Sequence, residues 1–214
     1  MTKPGLFITI EGIEGVGKST VMKAISEELT ALGVNFMTTR EPGGTPMAER
    51  IRKVLLDPTD EIVNVKTELL LIFACRSQHV ENVIQPAINS GQWVVSDRFT
   101  DASYAYQCGG RGVPDAQVQY LEQFVQGDFR PNHILLLDAP VDMARKRIEN
   151  RGALDRIEQE RVEFFERVRD KYLQRARIMS DKYIVVDASQ ALDDVVTCIR
   201  AHLQRIHSEY ADAV

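Results

Sequence analysis

The 214-residue sequence is poor in cysteine, carries no long apolar run and shows no basic surplus, and each shortage excludes a class of protein. Its three cysteines, Cys75, Cys108 and Cys198, are odd in number and widely spaced. They match neither a disulfide framework nor a zinc-ligand pattern, so reduced thiols are expected. No apolar stretch approaches the ~20 residues of a membrane span. Residues 1–5 lead straight into a short apolar run without the hydrophobic core of a signal peptide, which predicts a cytoplasmic protein with no membrane partner. The formal charge of −5 and pI near 5.5 leave no general basic surface for nucleic acid, while a local pocket for a phosphate stays open. The four histidines, His79, His133, His202 and His207, lack metal-ligand spacing, and none is expected in catalysis. Repeats and low-complexity linkers are absent as well. With 44% hydrophobic and 27% charged residues the composition is that of a globular protein, and the length suits one domain over residues 1–214.

What is present is an alternation of short apolar runs with amphipathic stretches. Residues 6–10, 34–39, 93–97, 134–138 and 183–187 read as strands, too short and too rich in β-branched residues for helices. Between them, Val21, Ile25, Leu29 and Leu32 recur at helical spacing and end at Gly33. Residues 65–88 form a longer helical pattern in which Pro86 predicts a kink. Residues 141–150 and 159–179 read as charged helices. Five strands joined by helical crossovers predict an α/β fold with a mainly parallel five-stranded sheet, helices on both faces, and an active edge at the strand C-termini.

Gly12-Ile13-Glu14-Gly15-Val16-Gly17-Lys18-Ser19 fits the G-x-x-x-x-G-K-[ST] phosphate loop, and it stands between an expected strand and an expected helix, as that motif requires. Glycines let backbone N–H groups approach phosphates, and the following helix directs its positive end at the ligand. Residues 12–20, through Thr20, are therefore the expected ATP-binding stretch, with Lys18 on the β- and γ-phosphates. Ser19 offers a hydroxyl to Mg²⁺, and Asp97, at the end of an apolar strand, is placed to reach the same ion.

The loop alone does not separate a kinase from a GTPase or a motor ATPase. A GTPase calls for Asn-Lys-x-Asp and Asp-x-x-Gly, whereas here Asp97 precedes Arg98-Phe99-Thr100 and no Asn-Lys-x-Asp occurs. An acceptor site for a nucleoside monophosphate needs cations, a flat apolar surface and polar groups for a base edge. Arg40, Arg76 and Arg98 supply the cations, and Phe73 lies close to Arg76 in sequence.

Four segments carry a more specific resemblance: Arg40-Glu41-Pro42-Gly43-Gly44-Thr45, Ser96-Asp97-Arg98-Phe99, Ala105-Tyr106-Gln107 and Arg151-Gly152-Ala153-Leu154-Asp155-Arg156. Through them nearly the whole chain resembles the bacterial thymidylate kinases. The resemblance implies a P-loop kinase fold with a short helical lid over about residues 150–158, and phosphoryl transfer from MgATP to dTMP by a homodimer. It further implies that Arg76 and Arg98 grip the acceptor phosphate with Arg40 nearby, that Phe73 stacks on thymine, that Ser103 and Gln107 read its polar edge, and that Glu14 lies near the acceptor sugar and phosphate. The stacking aromatic often stands four residues before the helix arginine in this family. Here Ile72 holds that position and Phe73 stands three before, so an ordinary core role for Phe73 remains the alternative reading. In some members of that family the assisting arginine lies in the P-loop; this loop holds Glu14 and no arginine, so the resemblance implies that Arg151 and Arg156, hinged by Gly152, supply the catalytic cations. A kinase for another monophosphate and a low-turnover nucleotide switch are the competing functions.

Overall fold

The computed structural model describes residues 3–149 and 154–212. Strands β1 (Phe7–Glu11), β2 (Phe36–Arg40), β3 (Trp93–Asp97), β4 (His133–Asp138) and β5 (Tyr183–Asp187) form a five-stranded sheet in the order β2-β3-β1-β4-β5, every neighbouring pair parallel. Central β1 is buried at every residue, whereas edge strand β2 is half open to water. Side chains alternate across the pleat: Phe7 packs with Val80, Ile84, Val94 and Phe99 on one face, and Ile8 and Ile10 pack with Ile25, Leu135 and Tyr172 on the other. Each such side chain contributes ~1.5–3 kcal/mol by leaving water, which sets β1 as the rigid floor of the site.

The helices are α1 (Lys18–Ala31), α2 (Pro46–Leu56), α3 (Val65–His79), α4 (Gln85–Asn89), α5 (Thr100–Ser103), α6 (Asp115–Gln126), α7 (Val141–Glu149), α8 (Val162–Ile178) and α9 (Leu192–Asp212). Helix α1 ends as its glycine predicts: Gly33 N–H bonds Thr30 O and Val34 N–H bonds Leu29 O, closing two of the carbonyls that the helix end leaves open. Thr45 caps α2 by accepting from Ala48 N–H, with Pro46 in the first turn.

The long helical pattern of residues 65–88 is broken by a π turn, Val80–Ile84, between α3 and α4. Pro86 lacks the N–H that would continue the ladder, and its ring crowds the preceding turn, so the helix widens just before it. A second π segment, Tyr104–Gly110, follows α5. The expected short helical lid takes a different form in its described part. Residues 154–161 are turns and irregular chain, because the Asp155 carboxylate accepts from the N–H groups of Ile157 and Glu158 and closes an Asx turn that competes with helix. Helix α8 consequently starts at Val162. Arg151 and Gly152, the other half of the lid reading, lie outside the described residues.

Candidate active site

The phosphate loop occupies the turn from β1 into α1. Gly15 has φ +79°, and a Cβ there would lie 2.1 Å from the Ala144 carbonyl oxygen; at Gly12, with φ +133°, it would lie 2.4 Å from Leu137 O. Glycine is required at both because backbone from β4 and α7 presses against the loop. Gly17 precedes α1 in a left-handed conformation and no side chain caps the helix, which leaves its first N–H groups for an anion. The Lys18 ammonium folds over the loop and donates to Gly12 O (3.1 Å) and Ile13 O (2.9 Å). Burial and the Arg98 charge push its pKa down to about 8, and Asp97 and Glu14 offset part of that shift.

The sheet register gathers the chemistry at one edge. Asp97 of β3 pairs with Ile10 of β1 on one side and Arg40 of β2 on the other, so the ends of three strands converge beside the loop. Ser19 and Thr20 are exposed on the first turn of α1, and Ser19 shares a groove with Asp97, Thr38, Thr39 and Arg40. Arg40 itself is exposed and paired with Glu49 at 2.8 Å. Glu49 also accepts from Gly44 N–H, which ties the Arg40 turn to α2.

Arg98 has φ +71°, a conformation unfavourable for a residue with a Cβ, and hydrogen bonds from its backbone and guanidinium hold it there. Its N–H bonds Ile10 O, its carbonyl accepts from Ser96 Oγ, and the next N–H, that of Phe99, bonds the buried Glu11 carboxyl at 2.7 Å. The guanidinium then reaches Gly12 O (2.9 Å), Glu14 Oε1 (2.7 Å) and the Tyr172 hydroxyl (3.2 Å), and lies over the Tyr106 ring. The second Glu14 oxygen accepts from Tyr106 OH at 2.6 Å. Glu14 thus joins the P-loop to Arg98.

Arg76 is 1% exposed. Its Nε donates to Glu41 Oε2 (2.8 Å) and its Nη2 to Phe99 O (3.0 Å). His79 buttresses the same carboxylate: Nδ1–H donates to Glu41 Oε1 (3.0 Å), leaving Nε2 to accept from Thr39 Oγ1 (2.7 Å). His79 is thus a satisfied core histidine.

These side chains frame a cleft of about 140 Å³ that opens to solvent. Among the described residues, the buried side-chain polar atoms without a hydrogen-bond partner are Thr9 Oγ1, Arg76 Nη1, Asp97 Oδ1, Ser103 Oγ and Gln107 Oε1. All but Thr9 belong to residues that line this cleft. Buried polar atoms are normally paired, so a donor, two acceptors and a hydroxyl left unpaired in one cleft mark a place built to receive a polar ligand.

Two expected site residues sit differently from the sequence reading. Phe73, expected as the stacking surface, is 2% exposed and packs among Leu69, Tyr104, Cys108, Val113 and Val118; the cleft wall is Ile72. Adjacent helical residues point ~100° apart, so only one of the pair faces the cleft, and a bulky ring completes the α3–α6 interior. Arg156, expected over the donor phosphates, lines this cleft. Its Nε donates to Leu55 O (2.8 Å) and its Nη2 to Glu68 Oε2 (2.6 Å). Glu68 and Arg111, which also bonds Glu68, were not legible as site residues, nor were Glu41 and Tyr172. For Glu68 the available signal was an acid in the first turn of an apolar helix, buried with Leu69.

Comparison with known proteins agrees with this architecture. The family model described as thymidylate kinase matches residues 10–199. The chain is 52% identical over 202 residues to a thymidylate kinase of Pseudomonas syringae pv. syringae, covering 94% of this chain and 96% of that one. It is 54% identical over 199 residues to that of Ectopseudomonas mendocina, covering 93% and 95%, and 53% identical over 191 residues to that of Pseudomonas fluorescens, covering 89% and 91%. The chain belongs to the thymidylate kinase family.

Proposed function

We propose that the protein transfers the γ-phosphoryl group of ATP to dTMP, giving dTDP and ADP on the way to dTTP. The observation that carries the reading is the cleft whose unpartnered donor, acceptors and hydroxyl lie next to an intact phosphate loop. The same-family relatives are named thymidylate kinases, which supports dTMP as acceptor.

In this mechanism residues 12–20 cradle the donor phosphates and Lys18 leaves the Gly12 and Ile13 carbonyls for the β- and γ-oxygens. Arg98, fixed on Glu14 and Gly12, stands between donor loop and acceptor cleft, where it offsets charge on the phosphoryl group in flight. Arg40 and Arg76 bind acceptor oxygens, Ser103 and Gln107 meet the base edge, and Ile72, in place of Phe73, forms the apolar wall. The acceptor phosphate is already ionised at neutral pH, so no side chain has to remove a proton. Arg156, and with it Arg151, acts from the lid of residues 150–158 after leaving Glu68.

Asp97 Oδ1, buried without a partner, and the Ser19 hydroxyl suit a divalent ion carried by the nucleotide. Such a Mg²⁺ supplies charge neutralisation on the phosphates when bound. We assign the reaction to the cytoplasm, where thiols such as Cys75, Cys108 and Cys198 stay reduced. No helix among the described residues is long and apolar enough to cross a membrane. A homodimer is supported by exposed Leu70 on α3 and by Tyr120 (72%) and Phe124 (78%) on the adjoining α6. Sedimentation of Phe124→Glu tests it, a monomer being the expected result.

The decisive measurement is ADP release from MgATP with dTMP, dUMP, UMP, CMP, AMP and GMP. Preference for dTMP with dTDP as product is expected. Preference for a different monophosphate overturns the acceptor assignment, and nucleotide binding without turnover overturns the kinase reading.

A further inference from the structure

Gln107 lies in the π segment after α5 and is 2% exposed. Its two amide atoms have different fates. Nε2 donates to Glu68 Oε1 at 3.0 Å, while Oε1 has no partner and borders the cleft. A glutamine amide can rotate by half a turn at little steric cost, so something must decide which atom faces the ligand. Glu68 decides it. An ionised carboxylate only accepts hydrogen bonds, so the reversed amide would set oxygen against oxygen.

The ionised state of Glu68 is secured by its neighbours. Burial alone pushes its pKa upward, but the Arg111 charge and hydrogen bonds from Arg156, Gln107 and Arg111 outweigh burial and hold the carboxyl below its usual range. Arg111 Nε lies 3.2 Å from Oε1 and Arg156 Nη2 2.6 Å from Oε2. Glu68 also sits in the first turn of α3, where the helix dipole favours negative charge.

We propose that Glu68 is the positioning residue for acceptor-base choice: by taking Gln107 Nε2 it obliges Gln107 to present its carbonyl oxygen to the cleft, so the site accepts a pyrimidine bearing N–H at ring position 3 and rejects one with a lone pair there. Thymine and uracil carry that N–H; cytosine carries a lone pair and meets the carbonyl oxygen with repulsion. The inference rests on the dTMP reading above and adds a residue that does not touch the substrate.

The test is kcat/KM of the full-length enzyme for dTMP, for dCMP and for N3-methyl-dTMP, in wild type, Glu68→Gln and Glu160→Gln. A glutamine at position 68 can pair with either orientation of Gln107, so the dTMP-to-dCMP ratio should fall by at least about tenfold, mostly through KM. Glu160→Gln disturbs the same ion cluster through Arg111 but leaves the Arg111 charge and Gln107 both on Glu68, so its ratio should stay within about twofold of wild type. N3-methyl-dTMP, which lacks the N–H and offers no lone pair in its place, should be a poor acceptor in wild type and in Glu68→Gln alike. Equal losses on all acceptors in Glu68→Gln, or the same loss of ratio in Glu160→Gln, would overturn the role of Glu68. A wild type that prefers a different acceptor refutes the dTMP reading itself, whereas dTMP preference with an unmoved ratio refutes only this inference. Should Glu68→Gln fail to fold, the wild-type protein still decides. The Gln107 side-chain N–H bonded to Glu68 should exchange with solvent at least about tenfold more slowly than that of an exposed glutamine, and fast exchange overturns the proposal.

Discussion

Glu41→Gln removes one charge from a pair that water does not reach. Arg76 and Glu41 are 1% and 3% exposed at their side chains and 2.8 Å apart, and breaking such a pair costs ~3–5 kcal/mol because the remaining charge is stranded. The glutamine retains one acceptor for Arg76 Nε, and its amide N–H₂ can face His79 if the ring changes tautomer. Thr39 tolerates that change, since a hydroxyl can donate or accept. The cost should therefore sit near ~3 kcal/mol, the low end of that range. In a domain of this size each kcal/mol moves Tm by ~2–4 °C, so ligand-free scanning calorimetry should show a fall of about 6–12 °C. The KM for dTMP should rise as well, because Arg76 Nη1 loses its aim. The double variant Glu41→Leu/Arg76→Met separates charge from packing: it should regain most of the Tm, since apolar replacement of a buried pair is near neutral, yet leave acceptor use impaired. A Tm within ~2 °C of wild type for Glu41→Gln, less than the shift expected of 1 kcal/mol, would refute the claim that this pair is the strut behind Arg76. A double variant as unstable as Glu41→Gln would show that the loss comes from packing.

Lys18→Ala should lower kcat by ~10²-fold or more, read by coupled ADP assay. Because Lys18 in the free enzyme loses its proton near pH 8, kcat/KM for MgATP should decline as pH rises through about 8, while kcat, measured with phosphates bound and the charged form favoured, holds to higher pH; Lys18→Arg should abolish the decline. Arg156→Ala should reduce kcat more than ATP affinity, separated by equilibrium titration against steady-state rates. Ile72→Ala should raise the KM for dTMP, whereas Phe73→Leu should cost ~1–3 kcal/mol in denaturant unfolding with little change in KM. Ser103→Ala removes a buried hydroxyl without a partner, so Tm should rise by ~2–4 °C while the KM for dTMP worsens; a fall in Tm would mean that the hydroxyl is satisfied after all.

How much of this was legible in the sequence depends on distance along the chain. The donor half is contiguous: strand, glycines, Lys18 and Ser19 occupy successive positions, and the backbone geometry that binds phosphate is written in the glycines. Asp97 and Arg98 were legible because a buried strand ends there. The acceptor half is assembled from side chains that meet across 35 to 88 positions, as in Arg76 with Glu41 and Arg156 with Glu68, and such pairs leave no local spacing to read. The Ile72 and Phe73 phases differ by one residue on α3, which carries apolar side chains on several faces, so periodicity did not choose between them. The turn at Asp155 was likewise hidden, since an Asx turn and a charged helix start look alike in composition.

The two halves also differ in how they hold their shape. The phosphate loop relies on backbone conformation, which glycine permits and neighbouring carbonyls confine. The acceptor cleft must keep Arg76 Nη1, Asp97 Oδ1, Ser103 Oγ and Gln107 Oε1 unpaired in a buried place, at ~1–3 kcal/mol each. Together they rival the ~5–15 kcal/mol by which a whole domain is stable, so without restraint each atom would turn to the nearest partner and the cleft would close on itself. The neighbouring atoms of the same groups prevent this: Glu41 and Phe99 O hold Arg76, Glu68 holds Gln107, and Glu11 together with Glu14 holds the strained corner at Arg98. The buried ion pairs around the cleft are therefore best understood as restraints on the atoms that face the ligand. Phosphoryl transfer asks mainly for position, and a site that keeps its polar atoms aimed before the ligand arrives has met that demand in the fold itself.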